Sequence, residues 1–218
     1  SQCPHCNTNI KAWQNIPVVS YALLRGRCAS CEAPISLRYP LVEIVTALLW
    51  VVCGLSFGVS TALAGALLLT AVLIVLTAID LDHQVLPDSL TLPLLWVGLL
   101  INMTGTFTSL ESALLGAVFG YLSLWSVYWL FKIVTGKEGM GYGDFKLLAA
   151  LGAWFGLAAL PTIVLLSSLV GATLGLTLIL TGKQTRETPM PFGPFLAGAG
   201  LIHLLYPNAL LGWITGGI

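Results

Sequence analysis

A chain of 218 residues with 57% hydrophobic and 8% charged residues has too little polar surface to enclose a soluble core, and a mean hydropathy of +0.93 places it among membrane proteins. Nine basic residues balance nine acidic ones, for a formal net charge of zero. No cationic surface is left for nucleic acid, so that class of partner is excluded.

The first forty residues form a separate composition class, rich in Cys, Pro, Asn, Arg and Lys. The expected organisation is a small cytoplasmic module over residues 1–40, followed by a helical membrane bundle over 41–218. Within the module, Cys3-Pro4-His5-Cys6 and Cys28-Ala29-Ser30-Cys31 are two CxxC pairs separated by twenty-one residues. That spacing suits two knuckles supplying four thiolates to one tetrahedral zinc ion, so Cys3, Cys6, Cys28 and Cys31 are the expected metal ligands. The competing reading is a pair of disulfides or a redox motif, which a reducing compartment and the doubling of the motif disfavour. His5 lies inside the first knuckle but four cysteines already complete the shell. Cys53 lies in an apolar run and reads as a small buried hydrophobe.

From Leu41 onward, apolar runs near 41–57, 61–79, 89–103, 112–134, 145–157, 161–181 and 191–206 are broken by short polar loops. Several approach the ~20 residues needed to span a bilayer, and a backbone in lipid must satisfy its own hydrogen bonds, so an all-α polytopic bundle is expected. Cationic residues sort by loop. Lys11, Arg25, Arg27 and Arg38 precede the first run, Lys132, Lys137 and Lys146 flank the loop after the fourth, and Lys183 and Arg186 follow the sixth. The alternate loops lack Lys and Arg. The positive-inside rule then gives about seven crossings with the module on the cytoplasmic side.

Two acids stand beside these apolar runs, and ionisable groups there are costly enough to imply chemistry, transport or a buried pairing. Asp80 ends the run Leu73 to Ile79, ahead of Leu81-Asp82-His83-Gln84-Val85-Leu86-Pro87-Asp88. Asp82 reads as solvated and Asp88 as a cap of the next helix. A lysine partner, Lys132 or Lys146, is the plain structural alternative for Asp80. Asp144 closes Gly139-Met140-Gly141-Tyr142-Gly143-Asp144. Glycines at alternate positions permit positive φ and close approach of another backbone, so Gly141 and Gly143 are the expected substrate contacts. A plain turn is the competing reading; a nucleotide loop is not, since neither GxGxxG nor GK[ST] is present.

Taken together, the two CxxC pairs, Asn15-Ile16-Pro17, Leu24-Arg25-Gly26-Arg27, Ile35 to Glu43, Ala78 to Asp88 and Gly139 to Leu148 resemble the type IV prepilin peptidases, bacterial membrane aspartic proteases of the GxGD type. The resemblance implies that Asp80 and Asp144 are the catalytic pair and that the cysteine module binds metal at the cytoplasmic face of the inner membrane. It also implies a prepilin or pseudopilin precursor as substrate, cleaved after Gly, with membrane lipid around the bundle. A second implied activity is transfer of a methyl group from S-adenosylmethionine to the new N-terminal amine. Gly26, Arg27 and Glu43 lie in the resembling segments and could shape that site, though each also reads as a turn, a solvated cation and a helix-start acid. Members of this family usually carry a further transmembrane helix ahead of the module, giving eight; this chain begins at Ser1, and a preceding helix is expected. Asp82, Asp88, Glu138 and Glu187 could attract a basic leader.

The expected mechanism is a shared proton between Asp80 and Asp144 over one water, because two adjacent carboxylates do not both ionise cheaply. With Asp80 at a helix C-terminus and Asp144 at a helix N-terminus, the dipoles favour the proton on Asp80. Two other classes fit the same residues: a proton- or cation-coupled transporter using the acids as a relay, and an assembly scaffold docking through the knuckle.

Overall fold

The computed structural model describes residues 2–137, 139–182 and 190–207. The helices are α1 (Val19–Leu23), α2 (Arg38–Phe57), α3 (Thr61–His83), α4 (Asp88–Ile101), α5 (Leu110–Thr135), α6 (Tyr142–Phe155), α7 (Leu160–Leu180) and α8 (Gly193–Leu205). The chain separates into two compact units, Ser1–Leu55 and Ser56–Ile218.

In the first unit the two cysteine loops are built alike. Gln2 pairs with Asn9 and Arg27 with Pro34 in single antiparallel bridges. Inside each, the N–H of the first cysteine donates to the carbonyl five residues on: Cys3 to Thr8 at 3.1 Å, Cys28 to Ala33 at 2.9 Å. A residue at positive φ closes each turn, Asn7 at 53° and Glu32 at 58°. Between the loops, Gly26 adopts φ +69°, where a Cβ would lie 2.7 Å from the Tyr21 hydroxyl. Gly26 thus lies at a turn, where glycine is favoured by both conformation and space. Cys53, on α2, is buried as a small apolar residue should be.

All seven expected apolar runs are helices, and the all-α membrane architecture holds. Four segments are long and apolar enough to cross a bilayer: Arg38–Phe57, Thr61–His83, Leu110–Thr135 and Leu157–Leu180, with mean hydropathies of 2.0, 2.6, 1.6 and 2.3. Their exposed faces carry leucine, valine and aromatic side chains, which suits lipid and not water. At 1.5 Å per residue, helices as short as α4, α6 and α8 reach only ~20 Å, short of the ~30 Å hydrocarbon core.

Packing accounts for α6. In α6, Asp144, Phe145 and every residue from Leu147 to Trp154 are buried, so α6 is enclosed by α4, α5 and α8 rather than by lipid. Gly116 and Gly120, four apart on one face of α5, meet α6 at Gly152 and at Leu148 and Ala149, where any Cβ would overlap backbone. Small residues at this spacing let two helices approach to backbone contact. At the other end, Asn102 Nδ2 donates to the carbonyls of Ala153 and Trp154, both at 2.9 Å, while its Oδ1 accepts from the N–H groups of Phe107 and Thr108. Orphan carbonyls at the end of a buried helix need such a partner. Trp154 Nε1 donates to the Leu94 carbonyl of α4 at 2.8 Å, and Gly98 leaves room for the indole.

Two helix limits differ from the sequence expectation. α3 does not end at Ile79 but runs to His83, so Asp80 lies within its last turn. Leu81, Asp82 and His83 do not break a helix, and the stop comes at Gln84, in the left-handed region at φ 53°, whose N–H returns to the Asp80 carbonyl. α6 starts at Tyr142, which places Gly143 and Asp144 inside its first turn.

Candidate functional site

In the second unit, α3 and α6 bring Asp80 and Asp144 together although 64 positions separate them in sequence. Both are buried, with 5% and 7% of their surface exposed, and they are near enough for the charge of one to act on the other. Each carboxylate has one oxygen held by a backbone N–H. Asp144 Oδ2 accepts at 3.3 Å from Gly141, the residue just before its own helix. Asp80 Oδ2 accepts from Gly193 at 3.0 Å, at the first turn of α8. Leu86, itself buried, fills the space between these supports: it lies against Gly143 on one side and Gly193 on the other.

The glycine run acts differently from the expectation. Gly139, Gly141 and Gly143 are not among the residues with positive φ. Gly141 has extended backbone (φ −83°, ψ 149°) and precedes the helix. Gly143 does permit close approach, but the neighbour is this chain's Leu86, whose Cβ would sit 2.7 Å from an added Cβ. Gly141 faces open space apart from Asp144 Oδ2.

Lys146, one of the two cations considered as a plain partner for Asp80, forks onto Asp88, with Nζ 2.6 and 2.7 Å from its two oxygens. Asp88 is thus an ion-pair partner of Lys146, and it is the first residue of α4, with Pro87 rather than Asp88 in the capping position. The Lys132 ammonium lies 3.1 Å from the Tyr128 hydroxyl and against the rings of Tyr128 and Trp129. Asp82 is exposed; Glu138, Glu187, Lys183 and Arg186 lie outside the described residues.

Sequence reading missed Gly193. Its distance of 113 residues from Asp80 conceals the contact; the only local signal is a Gly-Pro pair opening an apolar run. The dipole argument that puts the proton on Asp80 weighs α3 and α6 and omits α8. The positive end of α8 bears on the same carboxylate and opposes it.

In the first unit, the ligand atoms of Cys3, Cys6, Cys28 and Cys31 all lie within 4.8 Å of one another, and Cys3 Sγ is 3.9 Å from Cys31 Sγ. Four sulfurs around one tetrahedral zinc sit ~3.8 Å apart for Zn–S bonds of ~2.3 Å, so the cluster has the right size. Their protonation differs. The Thr8 side chain and then its backbone lower the Cys6 thiol to about 6, and the backbone N–H groups of Ser30 and Cys31 lower Cys28. For Cys31 the Ala33 backbone favours the thiolate, yet desolvation and the other sulfurs together push it up to about 12. The donor set and spacing suit a cation, whose charge would favour the thiolate form of all four sulfurs.

The same unit holds a cleft of about 540 Å³, lined in part by Gln14, Ser20, Tyr21, Tyr39 and Glu43. Glu43 Oε2 accepts from the Val18 N–H at 2.7 Å. Val18 makes that bond at φ 61°, a region in which a β-branched residue is strained.

Residues 67–176 match the model of the type IV leader peptidase family, and residues 1–57 match that of the bacterial peptidase A24 N-terminal domain. The chain is 59% identical over 213 residues to the prepilin leader peptidase/N-methyltransferase of Aeromonas hydrophila, covering 98% of this chain and 73% of the relative. It is 59% identical over 210 residues to the protein of the same name from Stutzerimonas stutzeri, with 96% and 73% covered. The Pseudomonas aeruginosa protein of that name is also 59% identical, over 96% of this chain and 72% of its own. No solved structure matches the chain.

Proposed function

The chain belongs to the type IV leader peptidase family, and from that premise we propose that it removes the leader of prepilin and pseudopilin precursors and methylates the amine so exposed. It is a multi-pass protein of the bacterial inner membrane. The reading rests above all on one observation: two acids, buried at the ends of α3 and α6 and interacting with each other, each held by a backbone N–H through a single oxygen.

Asp80 and Asp144 share one proton and hold a water between them. One carboxylate takes a proton from the water as it attacks the scissile carbonyl, and the other protonates the carbonyl oxygen; no separate nucleophile is needed. Like charges at close range make the pair titrate in two coupled steps. Of the motif glycines, Gly141 is the substrate contact, because Leu86 already fills the free face of Gly143. Cleavage takes place at the cytoplasmic face, where Lys132, Lys137 and Lys146 cluster near this end of the bundle and the precursor's leader projects from the bilayer.

Cys3, Cys6, Cys28 and Cys31 would hold a zinc ion, and a four-cysteine donor set would give it a structural role. S-adenosylmethionine supplies the methyl group, and we place its site in the module's cleft. There the Glu43 carboxylate suits a sulfonium or ammonium, and the rings of Tyr21 and Tyr39 suit an adenine. The relatives are named as peptidases and methyltransferases, which lends nothing to the transporter or scaffold readings.

Mass spectrometry of a pilin precursor incubated with the purified protein and S-adenosylmethionine tests the whole reading, since leader loss and methylation are separate mass changes. A precursor returned intact would end the peptidase reading; a trimmed product without added methyl would end the second activity alone. Calorimetric titration with S-adenosylmethionine tests the cleft, with Glu43→Gln expected to weaken binding at least about tenfold.

A further inference from the structure

The Gly193 contact reaches beyond the roles assigned to the two acids. At the start of α8 the backbone donors are few: Pro194 has none, and the N–H groups of Phe195 and Leu196 both turn back to the Phe192 carbonyl. The Gly193 N–H is the first-turn donor left over, and it goes to Asp80 Oδ2 in a buried bond of 3.0 Å. Any side chain there would have to displace the acid, because a Cβ would lie 2.5 Å from Asp80 Oδ2 and 3.1 Å from Leu86 Cδ2. The bond to Asp144 is longer, 3.3 Å, and comes from within its own turn.

We propose that Gly193 is a positioning residue for the cleavage reaction. Its N–H holds Asp80 as the carboxylate through Oδ2, and leaves Oδ1 as the oxygen that takes the proton from water. An N–H at the positive end of a helix stabilises the charged form over the neutral one. Asp80 is then the general base of the pair and Asp144 carries the proton that reaches the carbonyl oxygen, the reverse of the assignment made from the dipoles of α3 and α6. The inference rests on the acid pair being catalytic. Among the described residues, the other ionisable groups at this end are Asp144, Tyr142 and Lys146 on α6, Asp82 and His83 on α3, Tyr128 and Lys132 on α5 with Lys137 just beyond it, and Asp88, which pairs with Lys146; the first turn of α8 has none.

The test separates the N–H from the space around it. Nonsense suppression with glycolic acid at position 193 exchanges the N–H for an ester oxygen and adds no Cβ. The expected result is a kcat at least about tenfold lower with KM unchanged, and an acidic limb of the kcat profile moved to higher pH. Gly193→Ala serves as the second variant: the groups its Cβ meets are side-chain ends that can shift, so the protein folds with Asp80 displaced and kcat falls further. An ester variant with wild-type kcat and an unmoved acidic limb would overturn the proposal and leave Gly193 a packing residue. Asp80→Asn and Asp144→Asn, assayed alongside, keep the outcomes distinct. If they still cleave, it is the reading of the acid pair that fails; if they do not and the ester variant is normal, only the role of Gly193 fails.

Discussion

The cysteine module and the acid pair are two ways of holding reactive side chains. In the module, each half of the site is closed by hydrogen bonds spanning five residues, and the two halves contribute two sulfurs each. The acid pair has no such local frame: its members come from α3 and α6, and a third participant comes from α8. A local site depends on a bound ion to complete it; a site assembled from distant helices depends on their packing. Each should therefore fail in its own way, and independently.

The largest effect is expected at the acids. Asp80→Asn and Asp144→Asn each keep shape and burial while removing proton exchange, so prepilin cleavage falls by ~10³-fold or more, with helix content by circular dichroism and zinc content by atomic absorption unchanged. Loss of bound metal in either variant would couple the two sites and break the contrast. Next comes removal of the metal. Structural zinc contributes ~10 kcal/mol or more to modules of this kind, so chelation or Cys28→Ser should unfold residues 2–35, detected by hydrogen exchange, and abolish methyl transfer while cleavage persists at a reduced rate. A third test lies in the packing that holds α6. Asn102→Ala leaves two carbonyls and two N–H groups without their partner and should cost about 3 kcal/mol, read as a lower thermal midpoint in detergent, with the zinc retained. Smallest is Asp88→Asn. Its pair with Lys146 is part-exposed, so stability should change by less than about 1 kcal/mol, and cleavage by less than about threefold.

The same contrast decides what can be read from the sequence. The cysteines were legible because ligand spacing is a local property, and the helices because an apolar run has few alternatives in lipid. The carboxylates were legible as costly groups beside hydrocarbon, though only the resemblance joined them into a pair. What escaped notice depends on contacts between distant segments. Gly193 looks like any helix start until α8 is laid against α3. Gly143 looked like a place for a substrate backbone, yet Leu86 from the preceding loop already lies there. The extent of α3 is hidden in the sequence because a polar stretch resembles the end of a helix, whereas Leu81, Asp82 and His83 continue it and Gln84 stops it.

The enclosure of α6 bears on how the protein meets its solvent. A helix that faces lipid must match the bilayer in length or tilt to compensate. α6, wrapped by its neighbours and closed at its far end by an asparagine, answers to protein alone. Acyl-chain length should therefore strain the outer helices first, while Asp144 keeps its depth, and turnover in vesicles should vary little between thinner and thicker membranes.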